Sequence, residues 1–176
     1  RAEADATGKA TLVEFEGACA AERALGDERE GVGTVVVSYL DALMALIQRM
    51  ASSRLLPRVV LQQRALARVL RAVPAIRELV ALERVRELAS ECGSRLFVDL
   101  PATGHAVDWL RVPAAAERFL RVGPAARMCR EIIDQVIAKE RSALVVVATA
   151  EPMVASETHE LCARIEAELG RSPELV

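Results

Sequence analysis

The richest local chemistry lies in one heptapeptide, Asp99-Leu100-Pro101-Ala102-Thr103-Gly104-His105. The run Arg95 to Asp99 (RLFVD) reads as a short buried strand, so Asp99 closes it and the remaining residues precede the next helical pattern. In open parallel sheets ligands bind outside the carboxyl ends of the strands. A carboxylate there can hold magnesium or one of its waters, and a glycine lets backbone approach a phosphate. A Pro-x-x-Gly turn that merely ends a strand accounts for the same spacing, so on spacing alone both readings stand. His105 follows that turn and His159 sits at a helix start, places where imidazole more often packs and hydrogen-bonds than shuttles protons.

Three short β-branched apolar runs must position these residues: Thr11 to Phe15 (TLVEF), Arg95 to Asp99, and Ala143 to Thr149 (ALVVVAT). Helical patterns rather than hairpin turns separate them, which predicts an α/β fold with a parallel sheet and helices on both faces. About 80 residues separate the first two strands, far more than one crossover helix needs. A helical insertion is therefore expected at about residues 38–90. Leu40, Leu43, Met44 and Ile47 form one apolar face, and Leu66, Val69, Leu70 and Val73 another, with Arg64, Arg68 and Arg71 opposite. From Arg49 to Arg86 there are nine Arg, no Lys and two Glu, a basic island in an acidic chain. No aromatic residue interleaves the arginines for base stacking, so nucleic acid is not the expected partner. Pro113 and Pro124 read as helix starts, and Cys129, Ile132, Ile133 and Val136 as a buried face. Ser156 reads as an N-cap, with Glu157 and Glu160 near the positive end and Leu161, Ile165 and Leu169 facing inward.

At 176 residues, 52% hydrophobic and 27% charged, the chain fits one folded domain and neither a disordered nor a membrane-embedded class. It contains no uninterrupted apolar run of about 18 residues and no secretory leader pattern, so a soluble, cytoplasmic protein is expected. Cys19, Cys92, Cys129 and Cys162 form no C-x-x-C pair and read as reduced core thiols. Arg1 to Gly8 reads as the end of a helix whose beginning lies upstream.

Asp99 to His105 resembles the D-x-x-P-T-G-H signature of the arsenite-transport ATPases and their tail-anchored-protein-targeting relatives, the ArsA-like branch of the P-loop NTPases. The proline is displaced by one place, while Asp99, Thr103, Gly104 and His105 stay in register. Val13-Glu14-Phe15-Glu16-Gly17-Ala18, then Leu25-Gly26, look like the family's strand-to-switch segment, usually written with Asp-Pro-Ala. Val73-Pro74-Ala75-Ile76-Arg77-Glu78-Leu79 is similar to its Pro-Gly-x-x-Glu segment, with alanine for glycine. Val146 to Pro152 and Ser156-Glu157-Thr158 resemble its third strand, following turn and helix start. The resemblance spans Gly8 to about Gly170.

The resemblance implies an ATP-hydrolysing, magnesium-dependent switch domain. Asp99 would be the magnesium-side carboxylate, Gly104 the switch residue near the terminal phosphate, flanked by Thr103 and His105 as nucleotide contacts. Glu16 would stand in for the acidic residue that orients water, one methylene longer than Asp. The resemblance also implies a homodimer or a paired ArsA-like subunit, and a protein cargo or membrane-protein partner engaged through the helical insertion. Such enzymes need a G-x-x-x-x-G-K-[ST] loop, whose N–H groups and lysine neutralise phosphate, and this sequence has none. Thr7-Gly8-Lys9-Ala10 lacks the hydroxyl and leads into a strand. Residues 1–176 are thus expected to be one incomplete domain whose loop precedes Arg1, inactive by itself. The alternative is a non-catalytic ArsA-like interaction module that pairs with an active ATPase subunit.

Overall fold

The computed structural model describes residues 10–16, 31–50, 75–93, 95–102 and 104–176, and the chain divides into two compact units, Arg1–Leu100 and Pro101–Val176. The architecture is mixed α/β, with a small parallel sheet and five α-helices among the described residues.

In the first unit, β1 (Ala10–Phe15) is the middle strand. β2 (Val32–Val37) pairs with it in parallel from Ala10↔Val32 to Phe15↔Val37. β3 (Arg95–Val98) pairs in parallel on its other edge, from Ala10↔Arg95 to Val13↔Val98. A central parallel strand is covered on both faces, and Val13, Glu14 and Phe15 are accordingly all buried. Burying a side chain the size of Val13 or Phe15 contributes about 1.5–3 kcal/mol.

Within the expected helical insertion, α1 (Tyr39–Met50) follows β2, and α2 (Ile76–Glu91) leads into β3. The predicted stripe of α1 is rotated slightly: Tyr39, Ala42 and Leu43 are buried, while Leu40, Met44 and Ile47 are half-buried. α2 buries Val80, Ala81, Leu82, Val85 and Leu88. The second predicted face, Leu66 to Val73, and its arginines Arg64, Arg68 and Arg71 lie outside the described residues.

Carboxylates answer three of the described arginines of the basic island, Arg49, Arg84 and Arg86. Arg49 of α1 donates to Oε1 of Glu83 at 3.1 Å and also pairs with Glu87. Arg86 donates to Oε2 and Oε1 of the same Glu83, at 2.8 and 2.9 Å. Arg84 pairs with Glu87 at 3.0 Å and with Glu91 at 3.4 Å. Glu83 is buried, so its charge is matched by two guanidinium groups rather than by water, and the network ties α1 to α2.

The second unit comprises α3 (Gly104–Leu120), α4 (Pro124–Ile132), a π-helical turn (Ile133–Ile137), β4 (Val145–Val146), α5 (Pro152–Leu169) and β5 (Glu174–Leu175). Pro124 starts its helix as expected, whereas Pro113 lies inside α3. Val107, Leu110 and Pro113 recur every third residue on the buried side, so the ring serves as an apolar packing surface there. Likewise α5 opens at Pro152 with Glu151 as the capping position, which puts Ser156 inside the helix. It ends at Gly170 with φ 66, the left-handed conformation that glycine adopts at helix C-termini. The core adds Ala126, Cys129, Ile132 and Ile165. Cys129 is buried, Cys92 and Cys162 are half-buried, and Cys19 is outside the described residues.

The third expected strand is reduced to Val145 and Val146, which pair in parallel with Glu174 and Leu175. Arg171 holds the loop before it, bonding the carbonyls of Ile137 and Ser142 and, at 3.2 Å, the Ser142 hydroxyl. Burial pushes its guanidinium below its usual basicity, opposed by the charge of Glu140. Among the described residues no helix is long and apolar enough to cross a membrane.

Candidate functional site

Two of the candidate residues, Glu16 and Asp99, come to the carboxyl edge of the parallel sheet. β1 ends at Phe15 and Glu16 follows in a turn. β3 ends at Val98, and the backbone N–H of Asp99 still donates to the Val13 carbonyl at 2.9 Å, so the ladder holds the residue that carries the carboxylate. Both side chains belong to exposed residues, on neighbouring strands that run about 4.8 Å apart.

The Glu16 carboxylate has a definite structural task. Its Oε2 accepts the backbone N–H of Tyr39 at 3.2 Å, the first residue of α1. Helix N-termini leave N–H groups without intrahelical acceptors and carry partial positive charge, so a carboxylate there stabilises the helix. The bond also ties the exit of β1 to the exit of β2. An ionised carboxylate has further lone pairs, which leaves Glu16 chemically able to accept from water as well.

Glu14 was not among the candidates and is the nearer neighbour of Asp99. One step past the last paired residues, Val13 and Val98, come Glu14 and Asp99, and the two-residue period puts them on one face of the sheet. Glu14 is fully buried. The sequence signal for it was an acidic residue between Val13 and Phe15 inside an apolar strand.

Thr103 lies outside the described residues. Gly104 and His105 belong to the second unit, where they open α3, with Gly104 half-buried and His105 exposed. The space beside the Gly104 Cα is occupied: a β-carbon there would collide with Nη1 of Arg164 from α5. Arg164 donates to the Gly104 carbonyl at 3.4 Å, to Asp108 Oδ1 at 2.5 Å and to Glu168 Oε1 at 2.8 Å. Arg111 takes the other Glu168 oxygen at 2.5 Å. The hydrogen bonds it donates to Glu168 and then to Asp108 raise the basicity of Arg164. The bond from Arg164, helped by the charge of Arg111, holds the Glu168 carboxyl below the usual range despite partial desolvation.

Among the described residues no three of His, Cys, Asp and Glu gather as a metal cluster. Magnesium in phosphate-transfer sites needs only one or two carboxylates, completed by water and substrate phosphates, and the hard oxygen donors of Asp99 and Glu16 suit it. No protein-family model matches the chain, and neither does any curated protein.

Proposed function

We propose that the chain is the switch-bearing part of a magnesium-dependent, P-loop-like ATPase of the ArsA-like kind, with its sheet covered by helices on both faces. The observation that carries this reading is the position of Asp99. It stands at the carboxyl end of a strand in a parallel sheet, where such folds bind ligands, and it opens the heptapeptide of the family signature. Asp99 would hold magnesium or its water, and Glu16 would orient a water from the next strand. Magnesium, when bound, neutralises charge on the phosphates during transfer. By the resemblance, Thr103, Gly104 and His105 would contact nucleotide. Residues 1–176 hold no glycine-rich phosphate loop, so the chemistry would need a loop from outside them, and a homodimer or a paired similar subunit would face these switches across the nucleotide. A protein cargo would meet the helical stretch around α1 and α2, and the cytoplasm is the expected setting.

The test reads the metal site directly. Manganese, a paramagnetic stand-in for magnesium, is titrated into labelled chain and amide broadening is followed by NMR. Broadening centred on residues 15–16 and 98–100, and lost in Asp99→Asn, is the expected outcome. Broadening spread evenly over surface carboxylates, or unchanged in Asp99→Asn, defeats the proposal.

A second reading, a non-catalytic interaction module that pairs with an active ATPase subunit, is favoured by two contacts. Glu16 spends one oxygen on the Tyr39 N–H, and the space at Gly104 is filled by Arg164. Both positions then have structural duties that need no nucleotide.

A further inference from the structure

We infer that Arg164 is a latch that holds the first turn of α3 against α5, and that the lack of a β-carbon at Gly104 leaves its guanidinium the space to do so. Gly104 is the first residue of α3 and Arg164 comes from the middle of α5. The guanidinium packs over the glycine and reaches three acceptors: the Gly104 carbonyl, Asp108 one turn later on the same helix, and Glu168 one turn later on its own helix.

Electrostatics says what keeps it there. A cation beside a helix N-terminus opposes the helix dipole, so α3 itself gives Arg164 no reason to sit at that end. The two carboxylates do. Asp108 pulls it onto α3, and Glu168 is held in turn by Arg111 of α3. Arg111 and Asp108 are three residues apart and share a helix face. The result is a four-charge network whose planar fork, a geometry lysine cannot reproduce, covers the glycine. Geometry therefore gives Gly104 a purpose that owes nothing to a phosphate. The first turn of α3 is pinned from α5, and freeing Arg164 frees that turn.

That this pin sets the position of a nucleotide switch rests on the ATPase reading; the latch does not, and it is tested without nucleotide, so either can fail alone. Hydrogen exchange is measured by NMR at the amides of Asp108 and Trp109, which in an α-helix donate to the carbonyls of residues 104 and 105. Arg164→Met keeps the stem and the helix propensity while removing the charge. It should speed exchange at both amides by about threefold or more, a size suited to loss of exposed ion pairs, and leave α4 unchanged.

The decisive comparison is Gly104→Ala in two backgrounds. Alanine is the better helix former, so by propensity alone it should slow exchange. In the parent it must instead displace Arg164, which can swing away on its flexible stem, and exchange should quicken. In Arg164→Met the same substitution should leave exchange unchanged or slow it. An effect of equal size and sign in both backgrounds overturns the inference, as does parental exchange at both amides in Arg164→Met.

Discussion

Ala75 stands just before α2 with φ 74 and ψ −36, and replacing it with glycine should stabilise the protein. At positive φ a β-carbon crowds the backbone, and a residue held in such a region costs about 1–3 kcal/mol. Glycine removes that strain, although it gives the unfolded chain more freedom, worth about 0.4–1 kcal/mol in the opposite direction. The difference is a net gain of about 1 kcal/mol. No hydrogen bond is lost, because the bond at this position runs from the Leu79 N–H to the Ala75 carbonyl at 3.0 Å, and glycine keeps the carbonyl. For a chain of this length 1 kcal/mol corresponds to a rise in Tm of about 2–4 °C. Thermal and urea unfolding of the parent, Ala75→Gly and Ala75→Val would be followed by circular dichroism. Valine, with its branched β-carbon, should lower stability. If glycine destabilises by about 1 kcal/mol, as it does in a relaxed helix, then the backbone at residue 75 is unstrained and the reasoning fails.

Glu83→Gln should cost about 1–2 kcal/mol in urea unfolding, since the buried carboxylate accepts charge-assisted bonds from Arg49 and Arg86. Glu91→Gln, at a side chain 59% exposed, should cost less than about 0.5 kcal/mol; equal losses would mean that Glu83 is as well solvated as Glu91. The pH dependence of the Arg164 network follows from Glu168, whose folded carboxyl lies below its ordinary 4.5. Its contribution is complete above the unfolded value and is lost as pH falls through the lower folded one. Arg164, whose basicity is raised, stays charged throughout. Exchange at Asp108 and Trp109 in the parent and in Arg164→Met should therefore differ at neutral pH and converge as Glu168 is protonated in acid; a difference that stays unchanged however far the pH is lowered in the folded protein contradicts the assignment.

The sheet was legible where hydrophobic burial and strand length coincide. Thr11 to Phe15 and Arg95 to Asp99 match β1 and β3 to within a residue at their ends. β2 escaped because Gly33 and Thr34 interrupt its valines, and its parallel pairing with β1 is a tertiary fact. The run Ala143 to Thr149 looked equally strand-like, yet Val145 and Val147 are exposed and only two residues pair, so apolarity alone did not make a long strand. Pro113 misled because the preference of proline for helix starts was weighed above the stripe of Val107 and Leu110. The basic island is less uniform than its composition suggests, because Glu87 and Glu91, just past Arg86, pair with Arg49 and Arg84. At the candidate site Asp99 could be placed from a strand and a turn next to each other. The partner of Gly104 could not, because Arg164 is 60 residues away and nothing in local spacing points to it.

The middle position of β1 bears on how the chain folds. Residue 10 pairs with residue 32 on one side and with residue 95 on the other. During synthesis the first of these ladders can close early, but the second must wait until the intervening chain has been made. Until then one edge of β1 presents unpaired N–H and C=O groups, a template to which a strand from another chain can add. Long-range parallel pairing is also slow to form. Refolding of the first unit should accordingly be slower than that of the helical second unit and more sensitive to protein concentration, with the open edge beside Val13 as the place where misassembly starts.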